Sequence, residues 1–483
     1  MTHLHDTAAG TPAPFALGPL TRVELTLRVE QAIRRARRSG HSTLAAVTVQ
    51  VGADVDPTAV VVAARRDREP WFTQEQPGRD GAAVAGVGAV MTLEAKGPDR
   101  FARLSARWRA AIADAACDPP AGPPGSGLIA TGGFSFAPNG GEAPHWGPYA
   151  SASLVVPAVA FARRGDDVRM TVAVLCAPDD TVDDVVGRAD RRLDALAPAT
   201  LGLLDPDPAG RVRVVSTMPP EHYEGAVARA VERIEAGAFQ KVVLAREVQV
   251  HAPVDHDPGA VLGVLREAFP DCFVFAVGRG ASTFLAASPE LLVRREGMRV
   301  GTLALAGSTR RSADPAVDDH LGEQLLRSAK DREEQAIVAR RIERTLRPHV
   351  LWVTSAEEPV VVKMANIQHL ATPIRAQLTS PRSAIELAGL LHPTPAVGGE
   401  PWADAQPMIP ALEGLDRGWY AGPVGWTDSN EDGEFCVALR CALLTGAVAR
   451  CYAGVGVVRE SDPAAELAET ETKLGALLPV LAG

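Results

Sequence analysis

The sequence contains no run of about 20 apolar residues, so no segment is predicted to cross a membrane as a helix. It also contains no long block of basic residues, and its formal net charge is −10 at pH 7. Nucleic acid and anionic membranes are therefore not expected to be partners. The opening residues, MTHLHDTAAGTPAP, lack the basic and apolar segments of a signal peptide, and we expect a disordered tail over residues 1–16.

Motifs that mark common cofactor and hydrolase sites are absent as well. The sequence has no P-loop, no HExxH, no GxSxG and no CxxC pair. Its GVGAV and GVGVV strings lack the third glycine and the acidic residue of a dinucleotide site. Without paired spacing, the cysteines are expected to be reduced, mostly buried thiols of a cytoplasmic protein. The six are Cys117, Cys176, Cys272, Cys436, Cys441 and Cys451.

What remains is the composition of an ordinary globular protein of 483 residues, of which 46% are hydrophobic and 22% charged. Short strand-like runs follow one another across tight turns, and helical segments lie between them. This order favours large antiparallel sheets with helices outside, an α+β fold, over a βαβ nucleotide fold. A polar link, LLDPDPAGR, joins a first half at 17–205 to a second half at 206–483.

Hydrophobic periodicity and turn residues predict the individual elements. Helices are expected at 100–115, 182–197, 220–236, 258–268 and 318–347, and strands at 43–51, 86–95, 131–138, 151–163, 169–176, 241–250, 272–278, 283–288, 291–297, 299–307, 424–429, 434–444 and 447–458. A last helix follows the string YAGVGVV. Ser461 or Asp462 would be its N-cap, with Pro463 at its first position.

The last helix carries three charged residues on one face. Glu466, Glu469 and Lys473 are spaced i, i+3 and i+7, so they project from the same side. Two carboxylates and an ammonium beside a Gly-Val-Gly turn suit a metal ion together with an anionic ligand. A solvated helix with an internal salt bridge is the simpler interpretation of this segment taken alone.

Other polar residues stand at strand ends and on the long helix. Lys241 opens the apolar strand KVVLA, where a lysine that is buried becomes a usable base. Glu290 follows Ser-Pro between two apolar runs, a setting that suits a general acid. Asp331 and Glu334 lie on the long helix, and Arg440 ends a strand, where a guanidinium can hold a carboxylate. Taken singly, Lys241 is more simply interpreted as an exposed charge, Glu290 as a turn residue and Arg440 as part of a strand-edge salt bridge.

Together, ten strings of the second half resemble the chorismate-utilising enzymes, and within them the isochorismate synthase branch. Their order and spacing fit the family from end to end, whereas the first half matches weakly, in GVGAV and in TGGFSFAP and WGPYASASLVVP. The strings are FQKVVLARE (239–247), SPELLVRR (288–295), LALAGSTRR (303–311), SAKDREEQAIV (328–338), QHLATPI (368–374), LLHPTPAVGG (390–399), YAGPVGW (420–426), GEFCVALRCA (433–442), YAGVGVV (452–458) and ELAETETKL (466–474).

The resemblance implies a single domain over residues 17–483, with two antiparallel sheets packed face to face. It also implies chorismate as the substrate and magnesium as the cofactor. Glu334 and Glu469 match the family's magnesium-binding glutamates, with Glu466 beside them and Asp331 in an outer position. The family often has Glu-His at this helix, whereas this chain has Glu334–Gln335; the ligand is kept.

The remaining roles follow the same resemblance. Lys241 matches the base that activates water for attack at ring carbon 2, and Glu290 matches the acid that protonates the departing hydroxyl at carbon 4. The reaction moves a hydroxyl along the diene, so no redox cofactor is expected. The positions that match the substrate pocket are Arg440, Tyr420, Gly454, Gly456, Lys473, His369, Ala371 and Thr372.

Two positions distinguish the branches of the family. The ammonia-using anthranilate and aminodeoxychorismate synthases lack the lysine found here at Lys241, and the latter place a lysine nucleophile where this chain has Ala306. We therefore expect no glutaminase partner, and we expect a monomer. Two alternatives to an isochorismate synthase are a salicylate synthase, which goes on to eliminate pyruvate, and a non-catalytic binding protein on the same fold.

Overall fold

The computed structural model describes residues 14–204, 210–365 and 367–482. The elements of the first half are α1 (Pro19–Ser39), β1 (Thr43–Gln50), α2 (Pro57–Ala64), β2 (Trp71–Gln76), β3 (Ala82–Val87), β4 (Met91–Ala95), α3 (Arg100–Ala113), β5 (Ile129–Phe134), β6 (Ala152–Val156), β7 (Val159–Arg164), β8 (Asp167–Cys176) and α4 (Val182–Leu193). Most of the link LLDPDPAGR, residues 205–209, and most of the expected tail, residues 1–13, lie outside the described residues.

The second half contributes the longer strands. Its elements are β9 (Arg213–Ser216), α5 (Pro220–Glu235), β10 (Lys241–His251), α6 (Pro258–Ala268), β11 (Phe273–Arg279), β12 (Ser282–Ser288), β13 (Leu291–Glu296), β14 (Arg299–Arg310), α7 (Pro315–Arg327), α8 (Ala329–Leu346), β15 (Val350–Ser355), β16 (Val360–Lys363), β17 (Ile367–Leu378), α9 (Ala384–Leu391), β18 (Gly399–Glu400), α10 (Trp402–Ala405), α11 (Met408–Glu413), β19 (Pro423–Asp428), β20 (Gly433–Val437), β21 (Cys441–Thr445), β22 (Val448–Val457), α12 (Pro463–Leu474) and α13 (Leu478–Ala482).

These strands form two antiparallel sheets. The twelve-stranded sheet has the order β1-β8-β7-β3-β2-β11-β12-β21-β22-β10-β18, with β9 also paired to β10. The ten-stranded sheet has the order β15-β17-β14-β13-β20-β19-β5-β6-β4, with β16 also paired to β17. Strands from both halves of the sequence therefore share each sheet, and the halves are interleaved in space.

The two sheets pack face to face over an aromatic core. Phe275 and Phe284 from the twelve-stranded sheet lie in one buried cluster with Phe134 and Phe435 from the ten-stranded sheet. A second cluster buries the outer face of the twelve-stranded sheet against α1, α2, α4 and α6. Helices α8 and α9 cover the ten-stranded sheet. The predicted α+β fold, two antiparallel sheets with helices outside, is confirmed.

Three predicted continuous strands are each divided between the two sheets. Segment 86–95 ends β3 in one sheet and forms β4 in the other, with Gly88 at φ +80° in the turn. Segments 151–163 and 434–444 are divided in the same way, at Pro157 and at residues 438–440. The predictions were wrong at these points because the apolar pattern is continuous across a strand that leaves one sheet for the other.

Other predicted boundaries also need correction. The helix expected at 318–347 is two helices, because Ser328 leaves the helical conformation and its hydroxyl caps α8 by accepting from the Asp331 N–H. Helix α1 was not predicted. Phe15, assigned to the tail, is buried with its ring 5.7 Å from that of Phe161, so the ordered chain begins before residue 17. No helix among the described residues is long and apolar enough to span a membrane.

Candidate active site

A cavity lies where the two sheets exchange strands. Glu290 lies at the crossing from β12 to β13, and Arg440, with φ +50°, at the crossing from β20 to β21. Nine of the predicted site residues line this cavity: Glu290, Glu334, His369, Tyr420, Arg440, Gly454, Gly456, Glu469 and Lys473. Other lining residues include Ala306, Ser308, Ala396, Val397 and Tyr452.

Glu290 is a buried carboxyl group on the cavity wall. Only 2% of the residue is exposed, and its main-chain carbonyl accepts a hydrogen bond from the Val437 N–H at 3.0 Å. Burial raises the pKa of Glu290 to about 8, although the nearby charges of Lys241 and Lys473 act in the opposite direction. The carboxyl group is therefore protonated at neutral pH and can donate a proton.

Lys241 is fully buried and pairs with Glu334, whose carboxylate lines the cavity. The Lys241 Nζ lies 2.9 Å from the Glu334 Oε1. Both side chains pass over Gly456, where an added Cβ would lie 2.3 Å from Glu334 Oε1 and 2.7 Å from Lys241 Cε. A side chain at position 456 would therefore displace this pair, and glycine leaves the space that the pair occupies.

Arg440 is held in place by a neutral histidine. Burial and the charges of Arg440 and Lys473 lower the pKa of His369 to about 3. In this neutral form, the His369 Nδ1–H donates to the Gly307 carbonyl at 3.2 Å, and Nε2 accepts from the Arg440 guanidinium at 2.8 Å. Gly307, at φ +71°, forms a bulge in β14 that turns its carbonyl toward the histidine. Arg440 also lines the cavity, where a guanidinium can bind a carboxylate.

Glu469 and Lys473 form an ion pair on the helix α12. The Lys473 Nζ lies 2.8 Å from the Glu469 carboxylate and donates to the Gly454 carbonyl at 2.9 Å. The Ser308 hydroxyl donates to the same carboxylate at 2.7 Å. Burial alone would raise the pKa of Glu469, but Lys473 and Ser308 outweigh it and lower the pKa to about 2. Glu469 is therefore ionised at neutral pH.

The two remaining predicted carboxylates lie behind the cavity wall. Glu466 pairs with the Lys330 Nζ at 2.7 Å, and the Asp331 carboxylate accepts from the Ser328 hydroxyl. Of the two predicted caps, Ser461 and Asp462, it is Asp462 that caps α12 by accepting from the Ala465 N–H, and Pro463 is the first residue of the helix, as predicted. This cap brings Glu466 into the first turn of the helix, where it is almost completely buried.

The substrate-pocket predictions differ in their outcome. The Tyr420 ring stacks on that of Tyr452, with centroids 5.3 Å apart, and its hydroxyl would meet any Cβ at Gly454 at 2.7 Å. Ala371 and Thr372 do not line the cavity: both are buried in β17, and the Thr372 hydroxyl accepts from the Gln335 amide at 2.6 Å. The Thr372 hydroxyl is thereby used in holding β17 against α8, and the predicted contact of both residues with the substrate gains no support from the cavity lining.

Of the four predicted metal ligands, Glu334 and Glu469 line the cavity, and Glu466 and Asp331 do not. Among residues 14–204, 210–365 and 367–482, no three acidic, histidine or cysteine side chains are clustered closely enough to hold a metal. Magnesium keeps several waters and binds through one or two carboxylates plus oxygen atoms of the substrate. Glu334 and Glu469 both line the cavity and supply that number of hard oxygen donors. The residues therefore fit a magnesium ion that is completed by water and substrate.

One buried ion pair beside the cavity was missed from the sequence. Arg417 and Glu413 are both at most 5% exposed; Arg417 donates to the carbonyls of Val243 and Val397 at 2.9 and 2.8 Å, and the Ala245 N–H donates to Glu413 at 2.7 Å. The pair thereby joins strand β10 to the loop that carries Val397. The i, i+4 spacing in the string EGLDR was the available sequence signal.

We predict that Arg417→Met lowers the free energy of unfolding by about 3–5 kcal/mol, because it leaves the Glu413 carboxylate buried without its partner. Chemical denaturation at pH 7 measures this loss. The matched control is Arg340→Met, because Arg340 pairs with Glu333 at the surface, where both side chains are more than 60% exposed. The control should change stability by at most about 1 kcal/mol. Equal effects of the two substitutions would contradict this role of Arg417.

The chain is similar in sequence and in fold to known proteins. The chain matches the sequence profile of the family described as "Chorismate binding enzyme" over residues 31–482. It is 37% identical over 471 residues to the "Salicylate biosynthesis isochorismate synthase" of Pseudomonas aeruginosa, with 96% of each chain covered. It is 30% identical over 478 residues to "Isochorismate synthase MenF" of Bacillus subtilis, covering 96% of this chain and 99% of that protein. The solved structure of MenF, the menaquinone-specific isochorismate synthase from Escherichia coli, shares the fold, with a TM-score of 0.75, 24% identity and coverage of 94% and 100%.

Proposed function

Because the chain belongs to the chorismate-binding enzyme family, we propose that it converts chorismate to isochorismate. Two relatives that it matches over nearly their whole length are isochorismate synthases by name. The cavity adds the chemical argument, since a carboxyl group that can donate a proton and cationic groups line the same cavity. The reaction exchanges one allylic hydroxyl for another, and it requires an acid, a base and a way to bind two carboxylates.

The buried carboxyl group of Glu290 on the cavity wall is the observation that carries the proposal. A carboxyl group with a pKa of about 8 holds its proton at neutral pH and is poised to protonate a departing hydroxyl. An ordinary exposed glutamate would be ionised at this pH and could not serve as an acid. Two other buried carboxyl groups of this protein, Glu75 and Glu413, are paired with arginines and do not line the cavity, whereas Glu290 lines the cavity.

In the proposed reaction, Lys241 acts as the base and takes a proton from a water molecule. The water oxygen forms a bond to ring carbon 2, the diene electrons shift, and the bond from carbon 4 to its hydroxyl breaks. Glu290 gives its proton to that hydroxyl, which leaves as water. At the end Lys241 is an ammonium and Glu290 is a carboxylate. In the reverse reaction, therefore, Lys241 is the acid and Glu290 is the base.

The two carboxylates of chorismate require cationic partners. Arg440, oriented by His369, presents a guanidinium to the cavity and binds one of them in this proposal. Lys473 stands at the Gly454 end of the same cavity and adds a second positive charge. Glu334 and Glu469 would hold magnesium, whose charge offsets that of the protein carboxylates and the dianionic substrate.

We predict that the purified protein, given chorismate and magnesium, yields isochorismate and regenerates chorismate when given isochorismate. Chromatography of both reactions measures the products, and the equilibrium constant should be near unity because the two isomers differ only in the position of a hydroxyl. A chelator in excess should stop turnover. Recovery of unchanged chorismate with magnesium present would contradict the proposed function.

The same reaction mixture also tests the alternative activity, that of a salicylate synthase. A coupled lactate dehydrogenase assay should detect no pyruvate above the slow background. Stoichiometric pyruvate would instead make the protein a salicylate synthase and would leave the assignments of Lys241, Glu290 and Arg440 in place.

A further inference from the structure

Lysine is rare in this chain, which has five lysines and 44 arginines. Lys96 is exposed, and Lys363 pairs with Asp318 outside the cavity. The other three each pair with one of the carboxylates considered for magnesium: Lys241 with Glu334 at 2.9 Å, Lys330 with Glu466 at 2.7 Å and Lys473 with Glu469 at 2.8 Å. Lysine is therefore concentrated where a cation is expected to bind.

Lys330 differs from the other two because it has no part in the proposed reaction. It lies in the first turn of α8, does not line the cavity, and reaches across to Glu466 in the first turn of α12. Burial lowers the pKa of Lys330, but Glu466, Glu334 and Glu469 outweigh it and raise the pKa above its ordinary value. Its ammonium group therefore acts on all three glutamates of the site.

We propose that Lys330 is a resident cation of the metal site, which competes with the divalent ion for Glu466 and so weakens metal binding in the absence of substrate. The proposal rests on the proposed magnesium-dependent function. In the structure Glu466 is paired with Lys330 and does not line the cavity. Release of Glu466 would add a third carboxylate to Glu334 and Glu469, and no three such groups are clustered in the described residues while the pair is made.

The choice of lysine over arginine fits this role. An ammonium is a compact point charge on a flexible stem, whereas a guanidinium binds a carboxylate through a rigid two-pronged contact. The fully buried structural pair of this protein, Arg417 with Glu413, uses arginine. Lysine is therefore better suited than arginine to a carboxylate that must exchange its cation for a metal ion.

The test is metal binding without substrate, with Mn²⁺ as the probe and the free ion counted by electron paramagnetic resonance. Lys330→Gln keeps a hydrogen-bond donor beside Glu466 but removes the charge, and it should tighten the Mn²⁺ dissociation constant by about tenfold. Lys330→Arg keeps the charge, and Lys96→Gln removes a lysine that is exposed at the surface. Lys330→Arg should bind Mn²⁺ no more tightly than the unchanged protein, because a guanidinium holds Glu466 at least as firmly, and Lys96→Gln should bind it within about twofold.

An unchanged dissociation constant for Lys330→Gln would overturn the proposal, and conversion of chorismate by the same preparation would show that the proposed function stands. Absence of Mn²⁺ binding in every variant, together with absence of turnover, would overturn both this proposal and the proposed function.

A second measurement uses the unsubstituted protein with ¹³C-dimethylated lysines, which retain their charge. Saturating Mg²⁺ should shift the Lys330 resonance and leave that of Lys96 unchanged. An unshifted Lys330 resonance would overturn the proposal even where Lys330→Gln fails to fold.

Discussion

Glu290→Gln is expected to lower kcat for the conversion of chorismate by about 10²–10⁴-fold, the usual contribution of a positioned acid. Glutamine has nearly the same shape but has no proton to give to the departing hydroxyl. The KM for chorismate should change little, because Glu290 is proposed to act on the leaving group and not on the carboxylates of the substrate. Steady-state kinetics with chromatographic detection of isochorismate measures both constants.

The pH dependence provides a second readout of the same group. The acid must be protonated, and the pKa of Glu290 is about 8, so kcat/KM should fall as the pH rises through about 8. Glu290→Gln should remove this alkaline limb from its residual activity. A limb that persists unchanged in the variant would assign the titration to another group.

A measurement of stability shows whether Glu290→Gln loses activity because the proton donor is gone or because the protein is unfolded. A glutamate in the unfolded chain ionises near pH 4.5, whereas Glu290 in the folded protein ionises near pH 8. The folded state therefore loses stability as the pH rises from about 4.5 to 8, and Glu290→Gln should remove that loss. We expect the variant to be at least as stable as the unchanged protein at pH 8, by chemical denaturation.

Glu75→Gln is the matched control for this substitution. Glu75 is also buried, and burial raises its pKa despite its pairing with Arg266, but it does not line the cavity. Its replacement should leave kcat within about threefold of the unchanged value, since a residue away from the reacting atoms has no share in the transition state. A loss of kcat as large as that of Glu290→Gln would refute the assignment of Glu290 as the acid.

Lys241→Met is expected to lower kcat by a similar factor of about 10²–10⁴, because methionine fills the same volume but accepts no proton from water. Binding of chorismate should be largely kept, because the carboxylates are assigned to Arg440 and Lys473. Equilibrium binding of chorismate under conditions without turnover, compared with steady-state kcat, measures the two effects separately.

Lys363→Met is the control for removing a paired lysine. Lys363 forms ion pairs with Asp318 and Asp319 outside the cavity, and its loss should leave kcat within about threefold. Activity of Lys241→Met within a few-fold of the unchanged protein would show that a different group activates water. Both proteins should then be incubated with ammonium salts, since an amination product would move the chain to another branch of the family.

The sequence by itself determined the local features of this protein. Asp462 and Pro463 specify where α12 begins, and the i, i+3, i+7 spacing places Glu466, Glu469 and Lys473 on one side of it. These features depend only on neighbours within a few residues. The ten strings of the second half likewise identified the fold and the set of candidate residues, nine of which line one cavity.

The tertiary structure alone decided which residues pair and which sheet each strand joins. An apolar run has the same period in either sheet, so the division of segments 86–95, 151–163 and 434–444 could not be seen in the pattern. The burial of Lys241 and its contact with Glu334 join positions 93 residues apart along the chain. The proton held by Glu290 likewise depends on the loss of water around a carboxyl group, which is a property of the packed sheets and not of the local sequence.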